Sequence, residues 1–78
     1  MVNRKDLYTK LGSRMRALRE EEGISQEEWG KKINPEKPML KQAVGQMENG
    51  RVTISVEKLV RVAIAAGVKP EELIRLDV

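Results

Sequence analysis

Apolar positions recur along this chain at spacings of three and four, and residues that end helices interrupt them at short intervals. Leu7, Tyr8, Leu11, Met15 and Leu18 form one stripe, the pattern of a helix with one buried face. Asn3 is placed to cap it, with Asp6 in its first turn. Gly23 ends it, so the first helix runs to about Glu22. Gly12 lies inside and costs up to ~1 kcal/mol against alanine, which a close helix contact at that point would explain. Ser25-Gln26-Glu27-Glu28 is a capping box that opens a second helix, Ser25 to Ile33. Ile24 before the cap and Trp29 beyond it form a hydrophobic staple. Trp29 and Ile33 supply the apolar face, and Gly30 lets another helix cross closely.

Asn34-Pro35-Glu36-Lys37-Pro38 breaks the pattern, since proline removes a donor and fixes its own backbone. Pro38 fits as the first residue of a third helix ending at Glu48. Val44 and Met47 share its buried face, whereas Lys41, Gln42, Gly45 and Gln46 lie on the other side. Asn49-Gly50 closes it, and Arg51 to Ile54 is a linker too short for a paired strand. Ser55 caps a fourth helix, with Val56, Leu59, Val60, Ala63 and Ile64 as its buried face and Gly67 as its stop. Pro70 opens a fifth, short helix carrying Leu73 and Ile74. The pattern predicts an all-α, five-helix bundle, with residues 1–78 as a single domain.

Composition narrows the function. With 40% hydrophobic and 35% charged residues the chain is neither disordered nor membranous in character, and it has no apolar run long enough to span a bilayer. No secretory signal opens it, and the expected location is cytoplasmic. Cysteine and histidine are both absent. That removes thiolate chemistry, the commonest general base and the commonest metal ligand. No enzyme activity, catalytic residue, cofactor or metal is therefore expected. Ser25 and Ser55 read as caps rather than partners for lysine in catalysis. The net charge of +3 permits nucleic-acid binding. Residues 34–51 carry only three Lys or Arg against two Asp or Glu, so any DNA affinity must come from an arranged surface. The outward groups of the third helix suit a major groove: glutamine amides match adenine, and a lysine ammonium matches guanine.

The order and spacing of several segments resemble the phage repressor/Cro, or XRE-like, helix-turn-helix family. The segments are Leu11-Gly12, Leu18-Arg19, Gly23-Ile24-Ser25-Gln26-Glu27-Glu28, Gln46-Met47-Glu48-Asn49-Gly50, and Leu59 through Gly67-Val68. The resemblance covers about residues 10 to 76 and puts the helix-turn-helix at about residues 25–50. It implies a repressor-like, sequence-specific regulator of transcription that binds double-stranded DNA, usually as a homodimer on a palindromic operator. It places Lys41, Gln42 and Gln46 at base-reading positions. Gln26, Asn49 and Arg51 fall at backbone-contacting positions, and Arg19 with Glu48 at a structural ion pair joining helix one to the end of helix three.

Three departures from the family stand out. The turn through Pro35-Glu36-Lys37-Pro38 is lengthened by about four residues, Leu40 stands where a capping Ser or Thr is common, and Trp29-Gly30 replaces Leu-Ala. The lengthened turn also admits an alternative, a protein-interaction module that keeps the fold without specific DNA binding. Taken alone, Gln42 and Gln46 read equally as exposed polar residues of an ordinary helix. Trp29 reads as core rather than as a base-stacking platform. Leu76 and Val78 read either as terminal packing or as a homodimer contact.

Overall fold

Five helices follow one another in a computed structural model that describes residues 3–75: α1 (Arg4–Glu21), α2 (Gln26–Ile33), α3 (Lys41–Glu48), α4 (Val56–Ala66) and α5 (Pro70–Leu73). Strands do not occur among the described residues, and no described helix is long and apolar enough to cross a membrane. Short-range signals set most of the boundaries. The Asn3 side chain accepts from the Asp6 N–H at 2.8 Å, the Ser25 hydroxyl from Glu28 at 3.1 Å, and Ser55 from Lys58 at 3.1 Å. Glu28 meets the Ser25 hydroxyl with its carboxylate at 3.2 Å, closing the capping box through the side chain.

The core draws on every helix. Leu11 and Met15 come from α1, Trp29 and Ile33 from α2, Val44 and Met47 from α3, Val62, Ala63 and Ala65 from α4, and Leu73 from α5. Burying such side chains stabilises the fold by about 1.5–3 kcal/mol each for the large ones. α3 packs against both α1 and α2. Gly12 is where α1 touches it: a Cβ there would lie 2.5 Å from the carbonyl oxygens of Met47 and Glu48. The predicted close helix contact is therefore real, and it fixes the distance between α1 and the end of α3.

The third helix begins at Lys41, not at Pro38. The Asn34 side chain accepts from the Lys37 N–H at 3.2 Å and folds the start of the connection. The Met39 N–H then donates to the Gly30 carbonyl at 3.1 Å, which holds the segment extended against α2. Gly30 thus admits the Met39 backbone, whose carbonyl oxygen a Cβ would overlap, rather than a crossing helix. Leu40 keeps an extended backbone as the N-cap of α3 and makes no side-chain capping bond.

The face of α4 also differs from the expectation. Val56 and Ile64 are 77% and 73% exposed, whereas Val62, Ala63 and Ala65 are buried. Leu59 and Ala66 complete the core side. The sequence Val56-Glu57-Lys58-Leu59-Val60-Arg61-Val62-Ala63-Ile64-Ala65-Ala66 is apolar on two sides, so helical spacing fits either stripe. Packing against α2 and α5 selects the Leu59-Val62-Ala63-Ala66 side. In the same way only Leu73 of the α5 pair is buried, and Ile74 is exposed.

Candidate nucleic-acid interface

α3 turns one face inward and one outward. Val44 and Met47 are buried, and Lys41, Gln42, Ala43 and Gln46 are exposed side by side. The helix ends in a Schellman motif, in which Gly50 N–H donates to Met47 and Arg51 N–H to the Gln46 carbonyl. Gly50 takes the left-handed backbone this needs, with φ +70°. Arg51, exposed, is the first side chain beyond it.

Glu48, the last residue of α3, points inward with a fully buried side chain. Side chains from two other helices, α1 and α2, hold its carboxylate. Arg19 of α1 donates from Nε to Oε2 at 2.7 Å and from Nη2 to Oε1 at 3.1 Å, a bidentate pair. A third nitrogen of Arg19, Nη1, donates to the Ile24 carbonyl at 3.0 Å, tying the α1–α2 turn to the same point. Gln26 at the start of α2 donates from Nε2 to Oε1 at 3.1 Å. Arg16 Nε stands 3.5 Å from Oε1, and Arg16 Nη2 donates to Asn49 Oδ1 at 2.7 Å.

Burial alone would push the Glu48 carboxyl up. The hydrogen bonds from Arg19 and Gln26, with the charges of Arg19 and Arg16, outweigh it and hold the group below its ordinary value. The Arg19 guanidinium is raised above its own, chiefly by its hydrogen bond to Glu48. A buried charge so fully paired makes α3 hard to displace, because losing one partner strands the other.

The structure thus brings Lys41, Gln42 and Gln46 together on one open face. Gln26 lies beside them, 3.6 Å from where a Cβ on Gly45 would stand. Arg19 and Glu48 are in direct contact. Asn49 and Arg51 follow at the end of α3, with Asn49 engaged by Arg16. Sequence reasoning missed Arg16 as a member of this cluster. Its signal was there: Arg16 and Arg19 are three apart on a helix and so share a face. Leu76 and Val78 lie outside the described residues. No group of His, Cys, Asp or Glu suited to a metal ion occurs among the described residues.

Residues 15–73 match the helix-turn-helix family model. The restriction-modification controller protein C.AhdI from Aeromonas hydrophila has a similar structure, with a TM-score of 0.75 and 30% identity over 85% of this chain and 94% of that one. The clp gene regulator ClgR from Corynebacterium glutamicum is similar with a TM-score of 0.76, at 24% identity over 86% of this chain and 67% of that one, a likeness of fold. Among curated proteins none matches the chain significantly.

Proposed function

The chain belongs to the phage repressor/Cro (XRE-like) helix-turn-helix family, DNA-binding regulators of transcription, and from that premise we propose that it reads double-stranded DNA by sequence, with α3 in the major groove, as a homodimer on a palindromic operator. The observation that carries this reading is the outward face of α3, where Lys41, Gln42 and Gln46 are exposed on a helix whose other side is buried and whose last residue is held by an ion pair. Gln42 and Gln46 offer the paired donor and acceptor that adenine needs, and Lys41 donates to guanine. Gln26 has two amide N–H donors; one holds Glu48, and the second serves a phosphate. Asn49 and Arg51 meet the backbone just beyond α3. The regulator works in the cytoplasm by occupancy, blocking or recruiting polymerase at the promoter it covers.

The test is selection from a randomised duplex library at near-physiological salt, followed by titration of the selected site. Gln42→Ala is expected to lose about 1–3 kcal/mol on that site and little on others. Arg51→Ala is expected to weaken all duplexes alike and to reduce the salt slope by about one. Uniform weakening by both substitutions would remove the base-reading role of Gln42. A failure to enrich any sequence would favour a protein-interaction module.

A further inference from the structure

The start of α1 lies against the end of α3. A Cβ on Gly50 would sit 2.6 Å from Thr9 Cα and 2.7 Å from Thr9 N, so only a glycine lets the two segments approach this closely. That approach puts Arg51 beside the first turn of α1. Arg4, Lys5, Tyr8, Arg51 and Thr53 line one open hollow of about 340 Å³ there. Arg4, Lys5 and Arg51 are all exposed, and among the described residues none of them forms an ion pair. Asp6 is the acidic residue of that turn, and its backbone N–H is capped by Asn3.

The local energetics make the placement informative. Cations in the first turn of a helix oppose its dipole, so Arg4 and Lys5 are unfavourably sited for α1 itself. Positions that break a local rule are where function is expected to supply the compensation. Resting on the DNA-binding reading above, we propose that Arg4 and Lys5 join Arg51 in an extended phosphate-binding surface, which grips the DNA backbone at the flank of the site that α3 reads. Through Gly50 and Arg51 the surface adjoins the end of α3. Its chemistry is that of a phosphodiester: two guanidinium groups and an ammonium donate to its oxygens. The exposed face of α3 carries a single cation, Lys41. The flank therefore supplies counter-charge that the reading helix lacks.

The test is the salt dependence of binding to the selected duplex, measured by fluorescence anisotropy for wild type, Arg4→Gln/Lys5→Gln and Arg51→Gln. Each lost phosphate contact is expected to make the slope of log K against log salt less negative by about 0.9 per protomer. Base preference should stay that of wild type, and thermal stability should hold or rise, since two dipole-opposing charges are gone. The double variant Lys69→Gln/Arg75→Gln removes the same charge outside the hollow and should keep the wild-type slope. A neutral methylphosphonate scanned along the flank should weaken wild type at one or two positions and leave Arg4→Gln/Lys5→Gln indifferent there. An unchanged slope for Arg4→Gln/Lys5→Gln, or equal flattening by Lys69→Gln/Arg75→Gln, would overturn the flank surface while the Gln42-dependent preference stands. If no duplex is enriched by wild type, the underlying DNA-reading premise fails, and the flank surface with it.

Discussion

At the scale of single residues, Glu48 decides most. Glu48→Gln keeps the shape but strands Arg19, which is nearly buried, with no counter-charge. Chemical denaturation at neutral pH should show a loss of about 3 kcal/mol. The pH dependence follows from the sign of the shift. The folded state holds the Glu48 carboxyl below its ordinary value of 4.5, so protonating it favours unfolding. Its contribution is complete above pH 4.5 and disappears as the pH falls through the lowered value. Wild type should lose stability over that acidic range, and Glu48→Gln should lack that component. The Arg19–Glu48 pair was legible through family resemblance. The part played by Gln26 in holding the same carboxylate was not, because a glutamine two residues into a capping box has a sufficient local reason to be there.

At the scale of the elements, capped ends were legible and docked ends were not. Asn3, Ser25 and Ser55 each act on a backbone N–H three residues away, and that information is local. The start of α3 depends instead on a hydrogen bond from Met39 back to Gly30, which no window around Pro38 contains. The face of α4 was misread for a different reason: both of its candidate stripes have helical spacing, and only its neighbours choose between them. The N-terminus of α3 remains locally unsatisfied, with Leu40 72% exposed as an N-cap that bonds nothing through its side chain. Leu40→Ser should supply that bond and raise the unfolding free energy by about 1 kcal/mol, read from thermal or urea denaturation. No gain in stability would mean that the first turn of α3 is already held by its docking on α2.

At the scale of the whole molecule, α4 turns an apolar stripe toward solvent. Val56 and Ile64 are among the most exposed large apolar side chains, and Val60 lies between them at the same helical spacing. The homodimer proposed above would bury this stripe against its copy, with the two copies of α3 facing the same side of the DNA. Ile64→Glu should leave the helical content of the monomer intact and shift sedimentation equilibrium toward monomer, while lowering affinity for a palindromic site far more than for a half-site. Equal oligomeric states for wild type and Ile64→Glu would move the interface elsewhere.

The clamp on Glu48 and the docking of Met39 on Gly30 fix α3 at both ends before any duplex arrives. Association is then a meeting of two finished surfaces rather than folding on a template. The entropy of ordering a helix, which coupled folding must spend on binding, has already been met by the core. The heat-capacity change on DNA binding should accordingly track the surface the complex covers, with no added contribution from a helix forming in the groove.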